Sequence, residues 1–122
     1  MCGIVGIYSF RGKPIDENLL VRMRDSMSHR GPYGSGTWMS NDGRIGLGHR
    51  RLSIIDLSDA ASQPMCNEDA TLWIVFNGEI YNHAEIRTEL ERTGAHRWKT
   101  DHSDTEVILH AFEELGIQSL EK

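Results

Sequence analysis

Residues 71–82, TLWIVFNGEIYN, contain the strongest secondary-structure signal in the chain. Thr71–Phe76 is apolar along its length, which predicts a strand covered on both faces. Asn77-Gly78-Glu79 follows directly and has two readings. Asn-Gly is a frequent hairpin turn. Alternatively, the Gly78 N–H and the Asn77 amide could together stabilise a developing oxyanion.

Short strands and one helix are predicted before this segment. From Asp16 onward, Leu19, Leu20, Met23 and Met27 recur at helical spacing, which predicts an amphipathic helix to about Ser28. The stretch His29–Gly36 contains three glycines and a proline, and it predicts an irregular loop. The expected strands are Ile4–Tyr8, Thr37–Met39, Ile45–Gly48 and Leu52–Ile55, with the turn Asn41-Asp42-Gly43 joining the second and third.

Two helices are predicted after residue 82. Asn82 with Glu85, and Ser103 with Glu106, have the spacing of a capping box at a helix start. Gly116 is expected to end the second helix. The apolar face of that helix is predicted to bury Val107, Ile108, Ala111, Phe112 and Leu115. Clustered strands followed by two helices favour an α+β fold.

The composition excludes several classes of function. The 122 residues carry a net charge of −5, so neither nucleic acid nor an anionic membrane is an expected partner. The longest apolar run, Leu72–Phe76, is too short to span a bilayer, and the N-terminus lacks the features of a signal peptide. Two cysteines, Cys2 and Cys66, make no disulfide framework. We therefore expect a cytoplasmic protein with reduced thiols.

Cys2 is the first candidate for chemistry. Removal of Met1 would place an α-amine and a thiol on one residue, with the amine able to take the thiol proton. The alternative is that Cys2 lies in a frayed terminus with no function, unless Ile4–Tyr8 anchors it.

Two charged side chains could bind the ends of an amino acid. An arginine at the start of residues 50–56 (RRLSIID), Arg50 or Arg51, could bind a carboxylate, and Asp104 could bind an ammonium group or simply stabilise a helix start. No pair among the six histidines has i,i+4 spacing, so no metal site is predicted. No phosphate-binding glycine motif is present, so no nucleotide site is predicted in this segment.

Six ordered segments resemble the glutaminase domain of class II glutamine amidotransferases, specifically of the asparagine synthetase type. They are residues 1–6 (MCGIVG), 29–32 (HRGP), 48–56 (GHRRLSIID), 63–65 (QPM), 76–82 (FNGEIYN) and 103–106 (SDTE). The chain departs from the family pattern at Tyr33, where Asp is usual, and at Ala61-Ser62, where Gly-His is common. Neither departure falls on an implied catalytic residue.

The resemblance implies a mechanism and a set of site residues. After loss of Met1, the Cys2 thiolate would attack the side-chain amide of L-glutamine and release ammonia through a thioester. The implied catalytic residues are Cys2, Asn77 and Gly78, and the implied substrate-binding residues are Arg51, Leu52, Ser53, Ile54, Ile55, Glu79 and Asp104. The loop His29–Gly36 would close over the bound glutamine.

The resemblance also implies the fold and the partners. The family fold is the N-terminal nucleophile hydrolase sandwich of four α-β-β-α layers. Residues 1–122 would be its truncated N-terminal part, without the C-terminal strands and without the synthetase domain. That domain would use ATP and magnesium to amidate aspartate. We expect low solubility of the segment alone, or homodimers formed through exposed strand edges. The alternatives are an amidotransferase for a sugar or cell-surface polysaccharide precursor, and a non-catalytic glutamine-binding fragment.

Overall fold

The first three predicted strands and the first helix form largely where they are predicted, whereas the predicted strand Leu52–Ile55 lies, except for Leu52, outside the described residues. A computed structural model describes residues 1–52 and 59–122, and the predicted residues Ser53, Ile54 and Ile55 lie outside this range. The strands in chain order are β1 (Gly3–Tyr8), β2 (Gly34–Met39), β3 (Ile45–Arg51), β4 (Met65–Cys66) and β5 (Trp73–Ile74). The helices are α1 (Glu17–Asp25), α2 (His83–Glu91) and α3 (Asp104–Leu115), with 3₁₀ helices at Asp59–Ala61 and Gly116–Glu121.

β3 is the central strand of a three-stranded antiparallel sheet in the order β1-β3-β2. Gly3 of β1 pairs with Arg50, and Gly34 of β2 pairs with Arg51. The predicted turn at 41–43 is confirmed, since Gly43 has φ +68° and donates its N–H to Ser40 O at 2.8 Å. The predicted loop His29–Gly36 is wrong at its end, because residues 34–36 pair with β3 and belong to β2.

α1 covers one face of this sheet. The Asp16 side chain accepts a hydrogen bond from Asn18 N at 2.9 Å and caps the helix. Leu20 is completely buried, and a Cβ at Gly46 of β3 would lie 3.0 Å from it. The helix ends at Asp25, three residues before the predicted end at Ser28, and the following residues form turns.

A second, two-stranded sheet and the remaining helices form the rest of the domain. Trp38 of β2 stacks on Trp73 of β5, with ring centroids 4.8 Å apart, which joins the two sheets. α3 packs against β4 and β5 and also against α2, where Leu90, Val107 and Ala111 form a hydrophobic cluster. The chain is thus a mixed α/β domain.

The long strand predicted at Thr71–Phe76 is wrong in extent, because only Trp73–Ile74 pair as a strand. Before and after Trp73–Ile74, side-chain oxygens accept the backbone hydrogen bonds that a neighbouring strand would otherwise accept. Asn67 Oδ1 accepts from Leu72 N at 3.0 Å, and Gln63 Oε1 accepts from Phe76 N at 2.6 Å. The strand is also only half-buried, so the prediction that both faces are covered is wrong.

The predicted starts of α2 and α3 and the predicted end of α3 are confirmed, but the capping boxes are not complete. Asn82 precedes α2 without capping it and donates from Nδ2 to Lys122 O at 2.9 Å. Ser103 Oγ does accept from Glu106 N at 3.4 Å, and Gly116, with φ +58°, follows α3. The Glu106 carboxylate, however, binds elsewhere, as described below.

The predicted burial of α3 is partly wrong. Phe112 and Leu115 are 42% and 39% exposed, because α2, β4 and β5 cover only the side of α3 that carries Val107 and Ala111. Within the described residues, no helix combines the length and apolar composition needed to cross a bilayer.

Candidate active site

Tertiary contacts hold Cys2 in place, and the residue does not lie in a frayed terminus. It immediately precedes β1, and Leu52 N donates to Cys2 Sγ at 3.3 Å. The sulfur also lies 3.9 Å from Leu52 O, and Arg30 Nε donates to Cys2 O at 3.2 Å. Because Leu52 is 50 residues away in sequence, the fold itself places this thiol. Neither Cys2 nor Cys66 forms a disulfide.

An open pocket of about 350 Å³ lies beside Cys2. Its lining residues are Met1, His29, Arg30, Pro32, Tyr33 and Leu52. Met1 adjoins Cys2 in the chain, and Arg30 and Leu52 make the hydrogen bonds to Cys2 given above. A pocket of this volume is in the range that binds small molecules. The pocket is wide open to solvent, and Cys2 does not itself line it but adjoins its lining residues Met1 and Leu52.

Gly31 brings the segment that forms one wall of this pocket against β3. A Cβ at this position would overlap the carbonyl group of Arg50 and lie 2.6 Å from Arg51 N. Tyr33 N donates to Arg51 O at 3.2 Å, just before β2 begins. Only glycine allows this close approach, so Gly31 fixes how near the pocket wall comes to Cys2.

His49 is a buried, neutral imidazole on β3. Only 2% of its surface is exposed, and its ring lies near the backbone of Phe76. Burial is the main reason that the pKa of His49 is lowered to about 4, and the positive charge of Arg51 lowers it further, while the Phe76 contact opposes the change. The ring is therefore uncharged near neutral pH and joins β3 to the segment before Asn77.

The segment from Phe76 to Ile80 is also held at both of its ends by side chains. Gln63, which binds Phe76 N, donates in turn from Nε2 to Thr105 Oγ1 at 3.2 Å. At the other end, Ile80 N donates to Asp104 Oδ2 at 3.1 Å. Between these anchors Asn77, Gly78 and Glu79 are exposed.

Gly78 lies against the aromatic ring of Phe76. A Cβ on Gly78 would be only 2.7 Å from Phe76 Cζ, so any side chain here would displace that ring. Because Gly78 has no side chain, nothing on this residue covers its backbone N–H in the turn.

Glu106 fixes the loop that leads to Asp104. Its buried carboxylate accepts from Lys99 N at 2.6 Å and from Thr100 N at 2.8 Å. Burial would raise the pKa of Glu106, but the neighbouring His110 ring and the donors on Thr100 and Lys99 lower it to about 2. Ser103 N donates instead to Thr100 Oγ1 at 3.2 Å. The reciprocal half of the predicted capping box is therefore wrong, and the carboxylate has a larger role.

The structure brings the predicted site residues together in two groups. Cys2 contacts Leu52, and Asp104 contacts the turn that carries Asn77, Gly78 and Glu79. β3 and Leu52, which follows it, link the two groups. Leu52 contacts Cys2, and His49, three residues earlier, lies beside Phe76. Three residues of extended chain span about 10 Å. Among the described residues, Asn77, Gly78 and Glu79 form no hydrogen bond to Cys2. Arg51 is in the last position of β3, beside Gly34.

Sequence reasoning assigned no role to Gln63 or Arg30, and it left His49 among histidines with surface or hydrogen-bonding positions. Gln63 holds the 76–80 segment through Phe76 N, His49 lies near the backbone of Phe76, and Arg30 binds the backbone of Cys2. All three lie within segments that carry the family resemblance. That location was the available signal, but their partners are too far away in sequence for spacing to reveal them.

The chain matches the family model described as "Glutamine amidotransferase domain" over residues 1–122. It is 45% identical over 117 residues to "Asparagine synthetase [glutamine-hydrolyzing] 1" of Bacillus subtilis (strain 168), covering 92% of this chain and 17% of that protein. It is 41% identical over 121 residues to "Probable asparagine synthetase [glutamine-hydrolyzing]" of Dictyostelium discoideum, covering 95% and 20%.

A plant protein is similar over nearly the same length of the chain. "Asparagine synthetase [glutamine-hydrolyzing] 1" of Arabidopsis thaliana is 38% identical over 118 residues, with 96% of this chain and 19% of that protein covered. The chain thus spans about a fifth of the length of these relatives. On the match along its full length, the chain belongs to the glutamine amidotransferase domain family.

Proposed function

We propose that this chain is the glutaminase portion of a glutamine-dependent asparagine synthetase, with Cys2 as its nucleophile. The observation that carries the proposal is the position of the Cys2 sulfur, which is held by Leu52 beside a pocket of small-molecule size. The names of the relatives favour asparagine formation over amidation of a sugar or polysaccharide precursor.

The reaction begins with removal of Met1. Met1 lines the pocket, so its loss exposes the Cys2 amine on the side where substrate would bind. The amine takes the thiol proton, and the thiolate attacks the side-chain amide carbon of L-glutamine. The Asn77 amide and the Gly78 N–H stabilise the oxyanion. Ammonia leaves with the proton, and water then hydrolyses the thioester to glutamate.

Substrate binding is assigned to the charged groups that the family resemblance implies, none of which is among the residues that line the pocket beside Cys2. Arg51 binds the α-carboxylate of glutamine, and Asp104 and Glu79 bind its α-amino group. The backbone of Leu52, which lines the pocket, is assigned to substrate binding, and so are Ser53, Ile54 and Ile55, which lie outside the described residues. The support for Asp104 is its bond to Ile80 N, which places its carboxylate at the turn that carries Asn77 and Gly78.

The rest of the activity belongs to the longer protein. In this proposal the four-layer α-β-β-α sandwich is completed by strands outside residues 1–122, and a synthetase domain uses ATP and magnesium to amidate aspartate with the ammonia. The reaction takes place in the cytoplasm, where thiols stay reduced. Copies of this segment would associate through β1 or β2, the two edge strands of the larger sheet.

Glutamine-dependent ammonia release tests the proposed function. Cys2→Ala should abolish release, whereas the matched variant Cys66→Ala should leave it unchanged. Arg51→Ala should raise KM for glutamine about 10- to 100-fold with a smaller change in kcat, because a charged hydrogen-bonding partner of the substrate is lost. Release that persists in Cys2→Ala, or an Arg51→Ala variant with unchanged KM, would contradict the assignment.

A further inference from the structure

A second group of titratable side chains lies away from the Cys2 pocket, between α3, the loop before it and the turn after β4. It consists of Glu68, His96, His110 and Glu113, each of which offers one ligand atom within 4.8 Å of the others. His110 and Glu113 are three residues apart on one face of α3. The side chains of His96 and His110 are only 4% and 2% exposed.

Both imidazoles direct their Nδ1 atoms at the same carboxylate oxygen. Glu113 Oε2 lies 3.4 Å from Nδ1 of His96 and 3.4 Å from Nδ1 of His110. Glu68 approaches from the other side, with carboxylate oxygens 3.9 Å from the same two nitrogens. His96 Nδ1 is buried and has no hydrogen-bond partner among the described residues. A buried polar atom without a partner is costly, so this nitrogen points to a missing ligand.

The separations fit a tetrahedral ion. With bonds of about 2.0–2.2 Å, neighbouring ligand atoms of tetrahedral Zn²⁺ are about 3.3–3.6 Å apart. The two 3.4 Å separations from Glu113 Oε2 have this value. The two 3.9 Å separations run to different oxygens of Glu68, Oε1 for His96 and Oε2 for His110, so Glu68, which is in a turn, would have to move to bring one oxygen close to both rings.

Neighbouring side chains contact the four residues in the way that the outer contacts of a metal site contact and orient its ligands. His96 Nε2 lies 3.1 Å from Glu114 Oε1, and His110 Nε2 lies 3.8 Å from Glu106 Oε1. For His96 this neighbouring carboxylate favours a proton on Nε2 and leaves Nδ1 free to bind a metal. In His110, Nδ1 is hydrogen-bonded to Glu113 Oε2 at 3.4 Å, and the buried Nε2 has no hydrogen-bond partner among the described residues. A metal ion at Nδ1 of His110 would therefore replace the hydrogen bond to Glu113. Asn67 Nδ2 donates to Glu113 Oε1 at 3.2 Å, so Oε2 of that carboxylate faces the rings.

A backbone tether and an aromatic ring complete the arrangement. Arg97 N donates to Glu68 Oε1 at 2.5 Å, which ties the turn after β4 to the loop that carries His96. Trp98 contacts the His110 ring edge-on, with centroids 4.6 Å apart, and limits the access of water on that side.

We propose that Glu68, His96, His110 and Glu113 form a structural site for a divalent transition-metal ion, which their two imidazoles and two carboxylates suit best for Zn²⁺. The ion would join the turn after β4, the loop before α3 and α3 itself. It would also balance the negative charge that Glu68, Glu106, Glu113 and Glu114 concentrate around two buried rings. The site is separate from Cys2 and needs no assumption about glutamine hydrolysis.

Metal titration of the chelator-treated chain tests this site. Zn²⁺ should bind with a stoichiometry of one, and Co²⁺ as a spectroscopic probe should give tetrahedral bands without thiolate charge-transfer bands, which excludes Cys2 and Cys66 as ligands. His96→Gln and Glu113→Gln should each weaken Zn²⁺ binding by about 100-fold. The control His102→Gln, at an exposed histidine outside the cluster, should bind Zn²⁺ like the parent chain.

Two results would overturn the proposal. One is the absence of stoichiometric Zn²⁺ binding by the parent chain, and the other is binding that survives both ligand substitutions. Glu113→Gln keeps the test valid if His96→Gln fails to fold, because the Glu113 side chain is 32% exposed and tolerates a polar replacement.

Discussion

The buried ring of His49 makes the stability of this chain depend on pH. Its folded-state pKa is about 4, against 6.5 for an unperturbed histidine. Below pH 6.5 the unfolded chain therefore takes up a proton that the folded chain excludes. This difference lowers the free energy of unfolding progressively as the pH falls from 6.5 to 4, and the loss is complete below pH 4.

The size of the effect follows from the two pKa values. A difference of about 2.5 corresponds to about 3 kcal/mol, at 1.36 kcal/mol per pKa unit. Urea denaturation between pH 7.5 and 4 would measure it, with His49→Gln as the comparison because Gln does not titrate. The stability difference between the parent chain and His49→Gln should fall by about 3 kcal/mol over this range, since contributions from other groups cancel.

The matched control is His102→Gln, which removes an exposed histidine. Its free energy of unfolding should change with pH in parallel with that of the parent chain. Parallel pH curves for the parent chain and His49→Gln would refute the reasoning. If His49→Gln does not fold, NMR titration of the His49 ring in the parent chain decides the same question. A midpoint near 6.5 would show that the ring is not protected.

Two further substitutions test the packing around the site. Gly31→Ala should lower the free energy of unfolding by about 1–3 kcal/mol, because its Cβ would overlap the Arg50 carbonyl, whereas Gly6→Ala, with its nearest contact at 3.7 Å, should be nearly neutral. Glu106→Gln should cost about 2–3 kcal/mol in urea denaturation because one of its donors loses an anionic acceptor, and the exposed Glu85→Gln serves as its control. A neutral Gly31→Ala, or equal effects of the two Glu substitutions, would contradict these assignments.

Local patterns predicted the elements whose structure depends on nearby residues. β1, α1 and the hairpin between β2 and β3 form close to their expected positions, because alternation, helical spacing and the turn at 41–43 act within a few residues. The long strand at Thr71–Phe76 failed for the opposite reason. Gln63 and Asn67 bind its backbone from outside the strand, and an apolar run carries no sign of such contacts.

In the candidate site, too, single residues could be identified from the sequence, whereas roles that depend on distant contacts could not. Cys2, Arg51 and Asp104 were identified by residue chemistry and family resemblance, and the structure confirms that Cys2 is anchored beside a pocket. The anchoring role of Gln63 and the burial of His49 near Phe76 depend on folding, because both residues reach Phe76 from distant parts of the chain.

The histidines illustrate the limit of spacing arguments. The sequence predicts no metal site, because no pair of histidines has helical spacing. His96 lies in a loop and His110 on a helix, yet their ring centroids are 4.3 Å apart. Only the packing of that loop on α3 brings them together with Glu68 and Glu113.

Covalent labelling tests the central claim, that Cys2 is the nucleophile of a glutamine site, most directly. The chain would be treated with a glutamine analogue that carries an electrophilic carbon in place of the side-chain amide, and then analysed by intact mass and peptide mapping. We predict a single adduct, on Cys2 of molecules that have lost Met1, and protection from labelling by L-glutamine. An adduct on Cys66, or an unlabelled Cys2 in folded molecules with a free Cys2 amine, would contradict the claim.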